Sequence, residues 1–277
     1  MTRSVKKRYP ATAQSEGAGA LVHRTVGTRF LQDVDPFLLL DEFELAEDRN
    51  SPGFPDHPHR GFETVTYLFN GIMTHRDTAG NAGTIEKGGV QWMTAGSGLI
   101  HSETPDYSEG TVHGMQLWVN LPSADKMQAP KYRDIAADDI PMVETDEVQI
   151  RVIAGDLDGT TGPMTDITVD PLYLDIFFKT PGTVRIPVTE GHTCILYAVE
   201  NRAAVKARTI EPRSLAILGP EGGHVDLQGM QNCRIMLMAA KPINEPIMRY
   251  GPFVMNTQEE LKTAIEDYES GRLDQVG

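Results

Sequence analysis

Two ligand-bearing pairs between residues 53 and 103 constrain the fold of this chain more than any other feature. His57 and His59 stand two apart, and so do His101 and Glu103. In extended backbone, residues i and i+2 project from one face, so each pair aims at a single point. Between the pairs, the β-branched and aromatic run from Thr64 to Phe69 closes at Asn70-Gly71, and Gly88-Gly89 marks a further turn. Both are hairpin signals, and antiparallel strands joined in this way can bring the two pairs together. Gly96-Ser97-Gly98 lets the backbone turn ahead of His101. A lone Gly-x-Gly, with neither a following helix nor a Lys-Ser/Thr pair, is a weak signal for a phosphate loop.

Three imidazoles and a carboxylate form a nitrogen and oxygen donor set without thiolate. Such a set suits iron, manganese, nickel, copper or zinc in an open site better than a closed thiolate zinc site. In an octahedral arrangement the remaining positions would take water, substrate or dioxygen. Extending the parity of His57 and His59 along the chain places Glu63, Val65, Tyr67 and Phe69 on the face of the imidazoles, which predicts an apolar interior around the site. His75, alternating with Thr74 and Arg76, reads as a solvated strand histidine outside the site.

The 277 residues suffice for two small barrels, and 26 glycines and 18 prolines favour many short strands over long helices. A formal net charge of −14 disfavours direct binding to a nucleic-acid backbone and leaves a basic protein partner open. The basic cluster Lys6-Lys7-Arg8 reads as a solvated tail, within a flexible or surface-hugging segment that runs to Ala20. Cys194 and Cys233, far apart in apolar runs, make no disulfide framework or zinc motif and read as buried strand residues. No apolar run reaches the roughly 20 residues that span a bilayer, so a soluble cytoplasmic protein is expected.

Phe37-Leu38-Leu39-Leu40 predicts a buried strand of the first barrel, and Thr111 to Asn120 another, with Gln116 and Trp118 on one face and Met115 and Leu117 on the other. The polar, proline-bearing passage from Leu121 to Pro141 is the best domain boundary. Strands resume at 148–154, 172–179, 183–188, 193–200, 214–218 and 233–240, a spacing that suggests a second barrel. That half has no His-x-His and no His-x-Glu, so a barrel without metal is expected there; His192 and His224 make a weak alternative pair. Thr257 to Glu260 forms a capping box that opens a terminal helix, with Leu261, Ile265 and Tyr268 as its docking stripe and Gly271 at its end.

His57-x-His59-x3-Glu63 followed by Gly71, with Gly96-x-Gly98-x2-His101 later, resembles the two cupin motifs. The segments Asp35 to Phe43, Phe54 to Tyr67, Gln91 to Gly98, His101-Ser102-Glu103 and Tyr250 to Thr257 resemble the pirin family in particular, nearly end to end. Gly88-Gly89 departs from the Gly-Asp of many pirins, at a turn away from the ligands. The resemblance implies an all-β bicupin of two cupin-type β-barrels with a short C-terminal helix. Residues 1–130 would form the metal-binding barrel, and 131–277 the second barrel plus the helix. It implies Fe(II) held by His57, His59, His101 and Glu103, with Glu63 supporting the ligands rather than binding. It also implies a quercetin 2,3-dioxygenase-type activity that cleaves flavonols with dioxygen, Glu103 accepting the substrate proton. An iron-dependent regulatory protein that binds an enzyme or transcription factor is the alternative.

Overall fold

The computed structural model describes residues 1–46 and 51–275. They form an all-β architecture of two compact units with one α-helix, Gln258–Glu269. No helix among the described residues is long and apolar enough to cross a membrane.

One unit comprises residues 13–137 and 243–277. Its larger sheet orders the strands Lys131–Ile135, Val90–Thr94, Phe62–Asn70, Val112–Asn120, Phe37–Leu45, Ala20–Arg24 and Thr12–Glu16. Its smaller sheet orders Phe54–His59, Leu99–Asp106, Ile72–Asp77 and Ala82–Glu86. Val112–Asn120 pairs on both sides, with Gln116 opposite Asp41 on one neighbour and Thr66 on the other. On this strand Gly114 is required by packing: a Cβ there would lie 2.7 Å from the Phe43 ring and 2.8 Å from a Leu68 methyl. Phe37–Leu45 runs beyond its apolar start. Asp41 and Glu42 continue the strand while buried, because Arg24 pairs with the first and His113 with the second at 2.9 Å.

The other unit comprises residues 1–12 and 138–242. Its larger sheet orders Val5–Pro10, Ser214–Leu218, Thr193–Glu200, Cys233–Ala240, Leu172–Phe178, Val148–Ala154 and Met142–Glu144. Gly182–Pro187, His224–Gly229, Ala203–Val205 and Arg208–Ile210 make the smaller one. The interior is apolar, built from residues such as Ile150, Leu174, Phe178, Leu196 and Leu237. Cys194 and Cys233 are buried in it as free thiols, and burial pushes their pKa values up to about 12 and about 11.

The units interleave in sequence, whereas a single cut after residue 130 is the division expected from the sequence. Two strand pairings and one helix packing account for the difference. Val5–Pro10 lies antiparallel to Ser214–Leu218, so the chain start completes the second sheet. Lys131–Ile135 pairs with Val90–Thr94 and keeps the polar passage within the first unit until Ala137. The terminal helix packs Ala264, Leu261 and Ile265 with Phe253, Leu273 and Ile100 of the first unit. The basic cluster is therefore strand rather than tail, with Arg8 donating to the Thr209 carbonyl at 2.6 Å. The helix starts at the expected capping box on Thr257 and Glu260. Tyr268 departs from the expected stripe, being 43% exposed.

Candidate metal centre

His57 and His59 end the strand Phe54–His59, and His101 lies opposite His57 on the neighbouring strand Leu99–Asp106. The register slips between His101 and Glu103, which brings Glu103 opposite Phe54. Across the other edge, His101 faces Asp77 and Glu103 faces His75. One ring nitrogen from each of His57, His59 and His101 lies within 4.8 Å of the others. The ring centroids are 4.6, 4.5 and 5.0 Å apart.

The protonation states suit metal binding. Burial, aided by the neighbouring imidazoles, holds His59 well below the ordinary range, and burial does the same for His101. Both rings are neutral at pH 7. Neither nitrogen of His101 has a hydrogen-bond partner, and those of His59 make none of good geometry, the Pro252 backbone alone acting on that ring. Buried polar atoms seldom go unpaired, and a divalent cation would satisfy one lone pair on each ring. His57 Nδ1 lies 2.8 Å from the Pro55 carbonyl, which only accepts, so the proton sits on Nδ1 and the lone pair on Nε2.

Glu103 is buried, and its carboxylate lies outside the three-imidazole cluster. Thr66 Oγ1 donates to Oε1 at 3.1 Å, and Gln116 Nε2 donates to Oε2 at 2.9 Å and Oε1 at 3.2 Å. Trp118 Nε1, which can only donate, lies 3.2 Å from Gln116 Oε1 and so fixes which end of the amide faces Glu103. Phe62 and Trp118 meet the His59 ring edge-on at 5.1 and 5.2 Å, and stack on each other at 4.3 Å.

These contacts reverse the parity expected for residues 63 to 69. Arg60-Gly61 breaks the strand, and Gly61 takes φ 89°, so the alternation does not carry through from the histidines. The site is faced by Phe62 and Thr66, whereas Glu63 belongs to the opposite face. There its carboxylate accepts from Trp92 Nε1 at 2.9 Å and Thr94 Oγ1 at 2.7 Å, and burial raises its pKa. Its role is in the sheet rather than in support of the imidazoles. His75 is likewise not solvated: it is buried, bonded to Asp134 at 3.0 Å and stacked on Tyr132 at 5.2 Å. In the other unit His192 faces Asp170 at 3.8 Å and His224 faces Asp226 at 3.5 Å.

His57 and His59 open onto a cavity of about 400 Å³, lined also by Leu39, Phe54, Gln116 and Trp118. That volume suits a small organic molecule. Arg24 and Asp41 form a bidentate pair in its wall at 2.7 and 2.6 Å, and Glu16 holds the same guanidinium at 2.8 Å. Arg249 enters from the strand Met248–Tyr250. Sequence reasoning did not single out Thr66, Arg24 or Arg249. Gln116 and Trp118 had a visible signal, their shared strand face, but nothing local said which face looked inward.

Two antiparallel barrels, one with three converging imidazoles in its wall, define the class as a bicupin. The family model for pirin matches residues 19–119, and the model for the pirin C-terminal cupin domain matches residues 173–274. A pirin-like protein of Solanum lycopersicum is 44% identical over 98% of this chain and 92% of its own length. A Pseudomonas aeruginosa protein provisionally named quercetin 2,3-dioxygenase is 41% identical over 98% of each chain. The crystal structure of a quercetin 2,3-dioxygenase from Acinetobacter baumannii superposes with a TM-score of 0.91 at 36% identity, covering 99% of both chains. The chain belongs to the pirin family.

Proposed function

We propose that this chain is an Fe(II)-dependent flavonol 2,3-dioxygenase in which His57, His59, His101 and Glu103 hold the metal. The observation that carries the reading is the cluster of three imidazoles, two of them buried and neutral, at the wall of a cavity of about 400 Å³. The relatives from Pseudomonas aeruginosa and Acinetobacter baumannii support the substrate class by their names. Donor chemistry supports iron without excluding manganese, nickel, copper or zinc.

Bound iron would supply a redox-active Lewis acid at which an ionised flavonol and dioxygen are brought together. The chain does the rest. His57, with its proton fixed on Nδ1 by the Pro55 carbonyl, presents Nε2. Glu103 accepts the proton of the substrate 3-hydroxyl, and Gln116 and Thr66 hold its carboxylate in a buried position while it does so. The apolar wall of Leu39, Phe54 and Trp118 receives the flat rings. Dioxygen enters the opened heterocycle as two oxygen atoms, and one ring carbon leaves as carbon monoxide.

The test is to load the protein anaerobically with Fe(II), add quercetin, admit dioxygen and follow absorbance and carbon monoxide, with His101→Ala as control. Iron-dependent loss of quercetin with equimolar carbon monoxide, absent in the control, is the expected result. Stoichiometric iron with persistent quercetin would overturn the dioxygenase reading and favour a regulatory role for the metal site.

A further inference from the structure

Two guanidinium groups reach the cavity beside the imidazoles, and they differ in how they are neutralised. Arg24 is matched by two carboxylates, Asp41 and Glu16. Arg249 has no carboxylate within ion-pair distance among the described residues; Asp41, Glu16 and Asp33 act on it only from further away. Its Nη1 donates to the Leu38 carbonyl at 3.1 Å and its Nε to the Gly251 carbonyl at 3.3 Å, both neutral acceptors. The guanidinium carbon sits 4.7 Å from the centroid of the Trp118 ring, which orients the fork by cation–π attraction. Trp118 in turn contacts His59, so this guanidinium, which no carboxylate contacts directly, is one side chain removed from the metal-ligand cluster.

The residue is solvent-accessible at the cavity wall, where a ligand can reach it. A fixed guanidinium fork recognises carboxylate or another planar oxyanion better than a neutral group, because two parallel N–H donors match two acceptor lone pairs. Arg24 cannot do the same, its donors being already engaged.

We propose that Arg249 is a specificity-determining residue that selects substrates carrying an acidic group, a carboxylate or ionised phenol, distinct from the hydroxyl that reacts. The proposal rests on the dioxygenase reading only for where the reacting centre lies; the recognition itself is a binding property and is testable without turnover.

The experiment is calorimetric titration of the full chain, as purified and under argon, with 2-naphthoate and with its neutral isostere 2-naphthamide. Wild type is expected to bind the acid about fivefold or more tightly than the amide, an effect sized for a charge-assisted hydrogen bond discounted for exposure. Arg249→Gln should bring the two affinities together by weakening the acid alone, and Arg249→Lys should restore part of the preference. Equal affinities in wild type would overturn the proposal. So would a preference that survives Arg249→Gln, which would assign the carboxylate to the metal or to Arg24. Loss of quercetin turnover with the acid preference intact would overturn only the dioxygenase reading.

Discussion

Replacing His101 with Leu should make the metal-free protein more stable and the metal-loaded protein less so. The side chain is 1% exposed, and neither ring nitrogen has a hydrogen-bond partner. Each unpaired buried polar group costs about 1–3 kcal/mol. Leucine removes both and introduces a shape mismatch of roughly 1 kcal/mol, so the net gain in chelator is about 1–5 kcal/mol. For a unit of this size, that is a rise in Tm of roughly 2–20 °C. With metal at a hundredfold excess over its Kd, wild type should gain about 2.7 kcal/mol, and the variant little. pH offers a second reading. Because His101 is held well below its unfolded value of 6.5, the unfolded chain takes up protons first as pH falls. Wild-type stability should therefore decline below about pH 6.5 more steeply than that of the variant. Urea unfolding with chelator and with added Fe(II) or Ni(II), at pH 7.5 and 5.5, measures all of this. A variant less stable than wild type in chelator, with equal stabilisation of both by metal, would refute the account of buried neutral imidazoles awaiting a cation.

Glu103→Gln should retain part of the metal and lose quercetin turnover, because an amide cannot accept the substrate proton; unchanged turnover, measured beside metal content, would remove the assigned role. Lys126 is 1% exposed and donates to Gly61 O and Asn120 Oδ1 at 2.7 Å and to Val254 O at 3.0 Å, while burial lowers its pKa to about 8. Between pH 8 and the unfolded value of 10.5 the folded state holds fewer protons, so this group adds stability as pH rises. Lys126→Met should flatten that rise in denaturation curves taken from pH 7.5 to 10, and an unaltered slope would contradict the shift. Gly61→Ala should destabilise by about 2–6 kcal/mol, since its φ is 89° and a Cβ would meet Val254 O at 2.0 Å. A shift in urea midpoint with unchanged m would support this, and wild-type stability would count against it.

The local alternation of residue types made the strands of both barrels legible, and the i, i+2 spacing made the histidine pairs legible. Val148–Ala154, Thr193–Glu200, Ser214–Leu218 and Cys233–Ala240 stand where the apolar runs place them. Strand partners were not legible. Val5–Pro10, with three basic residues and exposed side chains, reads as a tail because its order comes from backbone bonds to Ser214–Leu218. Parity across Gly61 failed for a related reason: a left-handed glycine between two strands resets which face points inward, and that exchanged the places of Glu63 and Thr66. His75 reads as solvated because its partners, Asp134 and Tyr132, are more than fifty residues away and lie on another strand. Arg249 reaches the cavity from beyond the second barrel's sequence, a proximity no local pattern encodes.

The most direct test of the central claim is a crystal structure of the iron-loaded protein with anomalous data at the iron edge. The account predicts one strong peak, bonded to Nε2 of His57 and to one ring nitrogen each of His59 and His101, with a Glu103 carboxylate oxygen completing the protein ligands. A peak elsewhere, such as between His192 and Asp170, or no peak at the three imidazoles despite stoichiometric iron in solution, would contradict it.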